Sequence, residues 1–296
     1  MGSLGGQTRR IVVGVDCSPQ SEQLLRWACK QADLTGSTLV AVTSWRVELP
    51  GLDPASADLD VEARTRRLLA ETIARALGPE RADGVTLHPC ASRPADALLT
   101  QARRADLLIV GPRGPHPLKH LALGSVTEHV VSQATCPVAI VHTDEHRGAE
   151  ISHRRIVVGV DGSPCARRAL HWAIRQAELT GSTVDAVLAW EWEPLYGVYP
   201  YGPPDETWAH NAEQLVRREV AELAPDAASI VHGRAVRGHP AQVLIDASDD
   251  SDLVVVGNRG VGNAVTRMLG SVSQKVARHS NVPVVVVHDH DQEAEG

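Results

Sequence analysis

Two stretches of this 296-residue chain carry the residue types that hold anions. The first is Gly111-Pro112-Arg113-Gly114, followed by nine residues and then Gly124-Ser125. The second is Gly257-Asn258-Arg259-Gly260, again nine residues, then Gly270-Ser271. Glycines let a backbone approach an anion closely and reach positive φ, so that successive N–H groups point to one spot. Each Gly-Ser stands where a helix is expected to begin. A helix start offers unpaired N–H groups and a dipole of about half a positive charge, and the serine adds a hydroxyl donor. Polyphosphate is the ligand that suits such a loop. A lone GxxG is more often a plain turn, but here the spacing is kept to the residue in two copies, each after a strand that ends in glycine.

The elements that must position these loops repeat as well. RRIVVGVDCSPQSEQLLRWACKQADLTGSTLVAVTSW, Arg9 to Trp45, returns from Arg154 to Trp190 at an offset of 145 residues. ADLLIVGPRG and CPVAIVH return as SDLVVVGNRG and VPVVVVH at an offset of 146. Two tandem domains, 1–146 and 147–296, follow, joined by the polar stretch 142–153. In the first, the apolar run Ile11 to Val15 reads as a strand buried on both faces. Ser18 suits a helix N-cap and Pro19 a first helical position, with Leu24, Leu25, Ala28 and Ala32 facing inward and Gly36 stopping the helix. A strand at 38–45, a helix at 64–77, strands at 85–90, 107–110 and 138–141, and helices at 94–104 and 125–134 complete the half. Five strands with helical crossovers require an α/β fold: a doubly wound parallel sheet with helices on both faces in each domain. Ligands on such sheets bind outside the carboxyl ends of the strands, where strand order reverses.

Composition narrows the partners. With 36 acidic against 29 basic residues the formal charge is −7, which disfavours binding to nucleic acid. Five cysteines form no CxxC pair, so a reducing cytoplasm fits and no metal site is expected. No stretch approaches the ~18 apolar residues of a membrane span, and the start lacks a secretory core. A cytoplasmic protein without a membrane partner is expected.

The G-x2-G-x9-G-S pattern, with Val-Asp closing the first strand and CPV or VPV before the last, resembles the universal stress protein family in its tandem, ATP-binding form. The resemblance covers residues 9 to 288. It implies a Rossmann-like fold of the adenine nucleotide alpha hydrolase type, with ATP, alone or with Mg2+, as ligand. Carried over by position, Asp16 and Asp161 contact ribose or adenine, Val15 and Val160 help form the base pocket, and Ser44 and Ala189 touch the base edge. Gly111, Arg113, Gly114, Gly124, Ser125, Val126 and Thr127 hold the phosphates of one site. Gly257, Arg259, Gly260, Gly270, Ser271, Val272 and Ser273 hold those of the other. Each aspartate has an alternative role as a helix cap or ion-pair partner, and each arginine as a solvated loop residue.

The two sites are not equal. PHPLKHLAL fills the first loop and VGNAVTRML the second, so His116, flanked by Pro115 and Pro117, stands where the second has Gly262. Prolines stiffen a loop and remove donors, which makes the second site the tighter one by expectation. His116, Lys119, His120 and Cys136 do not recur and match no metal or nucleophile motif. Trp27 and Trp172 suit packing, and the aromatic, proline-rich stretch 191–208 suits a partner contact or a lid.

Three functions are compatible with this pattern. One is an ATP-binding sensor or regulator, which by resemblance acts in stress or dormancy. Another is a slow ATPase or phosphoryl- or nucleotidyl-transfer enzyme, against which stands the absence of a GxxxxGK[ST] loop and of a repeated general base. The last is a scaffold without nucleotide, against which stand the intact glycines. No catalytic residue is assigned. The apolar final strands suggest an intrachain pseudo-dimer, with further homodimerisation and an unidentified protein partner as extensions.

Overall fold

The computed structural model describes residues 9–45, 58–113, 123–142, 154–191, 205–223, 225–227, 229–260 and 269–289. The chain divides into two compact units, Met1–Ile151 and Ser152–Gly296. In the first the order is β1 (Arg10–Gly14), α1 (Gln20–Thr35), β2 (Thr38–Trp45), α2 (Asp58–Leu77), α3 (Pro79–Ala82), β3 (Val85–Ala91), α4 (Pro94–Ala102), β4 (Leu107–Val110), α5 (Ser125–Gln133) and β5 (Val138–Ile140). The strands lie β3-β2-β1-β4-β5 and every pair is parallel. The chain therefore winds outward from β1 in both directions. Helices α1 and α2 pack together over one face, and α4 and α5 over the other.

The second unit repeats the plan: β6 (Arg155–Gly159), α6 (Pro164–Thr180), β7 (Thr183–Trp190), α7 (Asp205–Leu223), β8 (Val231–Arg237), α8 (Pro240–Ser248), β9 (Leu253–Gly257), α9 (Ser271–His279) and β10 (Val284–Val287). Its strands run β8-β7-β6-β9-β10, again all parallel. The central strands explain the unbroken apolar runs. Val12 and Val13 are fully buried, as are Val157 and Val158, because helices cover both faces. Leu24, Leu25, Ala28 and Ala32 form the buried stripe of α1, which ends at Gly36 in the left-handed region. At one strand-centre position the units differ in charge: Val12 sits beside Val40, whereas Val157 sits beside Asp185.

Several boundaries differ from the sequence expectation. Helix α2 starts at Asp58, six residues before the expected 64, and the short α3 adds a turn that periodicity did not reveal. Most of the stretch 191–208 and the joining stretch 142–153 lie outside the described residues, although Asp205 and Trp208 belong to α7.

Candidate functional site

The crevice at the reversal of strand order lies beyond the carboxyl ends of β1 and β4 in one unit, and of β6 and β9 in the other. Val15 and Val160, both buried, continue the first strands and donate N–H bonds to Val42 O at 2.8 Å and Val187 O at 2.9 Å. The chain then turns sharply, at Cys17 with φ +59° and at Gly162 with φ +81°. The sequence gives no hint that a cysteine takes a left-handed backbone, since glycine is the residue that does so without strain.

Both aspartates are exposed, and both organise the helix that follows. Oδ1 of Asp16 accepts from Ser18 N at 3.0 Å, Ser18 Oγ at 2.6 Å and Ser21 Oγ at 2.6 Å. Oδ1 of Asp161 accepts from Ser163 N at 2.9 Å. The expected cap at Ser18 is therefore corrected. Its hydroxyl proton goes to the stronger acceptor, the carboxylate, and α1 starts at Gln20 without a side-chain cap. In the second unit the matching serine does cap its helix: Ser163 Oγ accepts from Ala166 N at 3.2 Å. Ser44 and Ala189 stand half-buried near the ends of β2 and β7, the strands beside β1 and β6.

The glycine loops are pinned from below. Thr127 Oγ1 donates to Gly111 O at 2.8 Å and Ser273 Oγ to Gly257 O at 2.6 Å, and both hydroxyl residues are buried. Gly124 N donates to Pro112 O and Gly270 N to Asn258 O, each at 2.8 Å. These bonds fix the starts of α5 and α9 against the ends of β4 and β9. The first bonds back to the caps come from Glu128 N to Gly124 O and Gln274 N to Gly270 O, each 2.9 Å. The N–H groups of Ser125, Val126 and Thr127, and of Ser271, Val272 and Ser273, thus precede the first helical bond and have no acceptor within their helices. Ser125 and Ser271 are exposed, Val126 and Val272 half-buried.

The loops differ in the residues between the glycines. Arg113 is exposed, whereas Arg259 is half-buried with its Nε shielded from solvent and without a hydrogen-bond partner. Asn258 is 7% exposed, and its Oδ1 is likewise buried and unpaired. Pro112 occupies the matching place in the first unit, so sequence alone did not single out Asn258. Gly260 sits against the Asp161 carboxylate, and Gly257 sits against Cys165 and Ala166 at the start of α6. Gly114, His116, Lys119, His120 and Gly262 lie outside the described residues.

Burial holds three thiols above their ordinary range: Cys17 and Cys165 near the site, and Cys136 at the other end of the sheet. Burial pushes the Cys17 thiol up, against hydrogen bonds with Thr72 and Thr43 that lower it. Burial also raises Cys165, with the charge of Asp289 acting in the same direction. Cys136 is pushed up to about 12 by burial. On β8, Arg237 stands 5.7 Å over the ring of Trp190, a cation–π pair at the same end of the sheet that the first unit replaces with Ala91 beside Trp45.

Comparison with known proteins agrees with this duplicated geometry. A relative from Mycolicibacterium smegmatis, a universal stress protein, is 31% identical over 291 residues, covering 94% of this chain and 96% of its own. A universal stress protein from Mycobacterium tuberculosis is 30% identical over 286 residues, covering 93% and 96%. Among solved structures, a universal stress protein from Archaeoglobus fulgidus aligns with a TM-score of 0.66 and 21% identity over 97% of this chain and 98% of that one, a likeness of fold. The family model for universal stress proteins matches residues 7–142 and again 152–288, one match for each set of strand-end aspartate and glycine loop, and the chain belongs to the universal stress protein family.

Proposed function

We propose that each unit binds ATP, alone or with Mg2+, at the crevice described above, and that the chain is a nucleotide-dependent regulator in a stress or dormancy response. The observation that carries this reading is the apposition of Gly260 and Asp161, which joins the loop suited to phosphate with the carboxylate suited to ribose or adenine. An aspartate carboxylate accepts hydrogen bonds only, so it meets hydroxyl or amino groups of the ligand. The open N–H groups at the starts of α5 and α9 suit phosphate oxygens. In the second unit Arg259 Nε, a shielded donor without a partner, suits an anionic oxygen as well.

Mass spectrometry of the purified, denatured chain tests the reading. ATP or AMP at close to one or two per chain is expected. An empty protein that also fails to bind added ATP overturns it. The second site is expected to be the tighter of the two: Gly114→Val leaves more ATP affinity than Gly260→Val, and equal residual affinities overturn that ranking.

A further inference from the structure

One helix face in the second unit departs from its counterpart in the first. Arg168, His171, Trp172 and Arg175 recur at helical spacing along α6. With Leu223 of α7 and Val287 of β10 they line an open cavity of about 320 Å³. None of these residues belongs to the nucleotide crevice described above.

In the first unit the matching face differs in the exposure of its tryptophan. Its matching residues on α1 are Gln23, Arg26, Trp27 and Lys30, and Trp27 is only 3% exposed, whereas Trp172 is half-buried. Just before them the charge is inverted. Glu22 bonds Arg26 and Arg75 in the first unit; Arg167 bonds Glu219 at 2.7 Å and Glu222 at 2.8 Å in the second. The carboxylates around the cavity are thus engaged, since Asp289 is held by Arg168 at 2.7 Å. His171 and Arg175 are exposed and make no hydrogen bond or ion pair among the described residues. An indole flanked by a guanidinium and an imidazole offers a ring to stack on, with a cation and a hydrogen-bonding ring at its rim. The volume lies at the small end of the range for small-molecule sites.

We propose that this cleft is a second ligand site, for a small planar organic anion such as an aromatic carboxylate or sulfonate, with its ring against Trp172 and its charge on Arg175 and His171. The site is independent of the nucleotide reading.

The test uses the full chain and the fluorescent probe 1-anilinonaphthalene-8-sulfonate, titrated with and without saturating ATP. Binding that ATP does not displace is expected. It should weaken about tenfold or more in His171→Ala/Arg175→Ala and in Trp172→Leu, and persist in His171→Lys/Arg175→Lys, which supplies a cationic donor at both positions. Unchanged affinity in the double-alanine variant, or competitive displacement by ATP, overturns the proposal. Either result leaves the nucleotide reading intact, because ATP binding is measured separately in the same samples.

Discussion

Gly260 lies so close to Asp161 that a β-carbon on the glycine would collide with Oδ2 of the carboxylate. The loop after β9 therefore folds back over the end of β6, across the reversal of strand order. Two residues almost one hundred positions apart in sequence meet because parallel strands bring every carboxyl end to the same side.

The glycines of the two loops are expected to fail differently when replaced. A side chain at Gly260 meets the far end of an exposed aspartate, which can swing away, so Gly260→Val should keep the fold and lower ATP affinity at the second site at least about tenfold. A β-carbon at Gly257 would instead stand 2.8 Å from Cys165 Cβ and 2.9 Å from its backbone carbonyl carbon, where nothing can yield. Gly257→Ala should cost about 1–3 kcal/mol. At Gly111 the nearest atom is Arg113 O at 3.4 Å, ordinary contact, so Gly111→Ala should be close to neutral. Denaturant unfolding of the three variants beside an ATP titration distinguishes these outcomes; a stable Gly257→Ala chain contradicts the packing argument.

The buried hydroxyls beneath the loops give a second prediction. Thr127→Val keeps the shape of the side chain but leaves Gly111 O without its 2.8 Å donor, at a cost of about 1–2 kcal/mol. Thr127→Ser keeps the donor and should recover most of the loss. Because the same bond holds the start of α5 against β4, Thr127→Val should also weaken ATP binding, and Ser273→Ala should do likewise in the second unit through Gly257 O. A Thr127→Ser chain as unstable as Thr127→Val would show that methyl packing, not the hydroxyl, holds the loop.

Much of this arrangement was legible in the residues. The duplicated strand-loop-helix spacing specified a parallel doubly wound sheet in each half, and Gly36 and the stripe through Leu25 and Ala28 placed α1. Other features escaped because they depend on neighbours distant in sequence. Ser18 read as a helix cap until the geometry placed its hydroxyl on Asp16. Asn258 differs from its counterpart Pro112 in type alone, and only burial of its unpaired Oδ1 sets it apart. Cys17 takes the backbone conformation that Gly162 takes in the other unit, a constraint of the turn that a cysteine does not advertise.

Asp185 is the second unit's exception to an apolar strand core, and its partner is essential to it. Arg155 Nε donates to Oδ2 of Asp185 at 2.9 Å and a terminal guanidinium nitrogen bonds the same oxygen, while Arg234 Nε stays 3.7 Å away. Removing Arg155 strands a carboxylate that is 7% exposed, so Arg155→Ala should destabilise the unit by about 2 kcal/mol, tempered by Arg234. Adding Asp185→Val, the residue type found at Val40, removes the stranded charge and should restore most of the loss. A double variant no more stable than Arg155→Ala would mean that the arginine acts through packing of its stem rather than through charge.

Alkaline stability supplies the remaining prediction, through Cys136. This thiol is 4% exposed, and burial raises it from 9.0 to about 12, so the unfolded chain releases the proton first as pH rises. Its contribution is complete below about pH 9 and is lost between about pH 9 and 12, with a limiting slope of about 1.4 kcal/mol per pH unit. Cys136→Ala deletes this titration while creating a small cavity whose cost does not depend on pH. The stability difference between the natural chain and Cys136→Ala, measured by urea unfolding from pH 7 to 11, should therefore be constant up to about pH 8.5 and then shrink steadily. Comparing the two chains at each pH cancels the lysines, tyrosines and remaining cysteines, which titrate in both. A difference that stays flat to pH 11 would place the native thiol in contact with water, contrary to its burial.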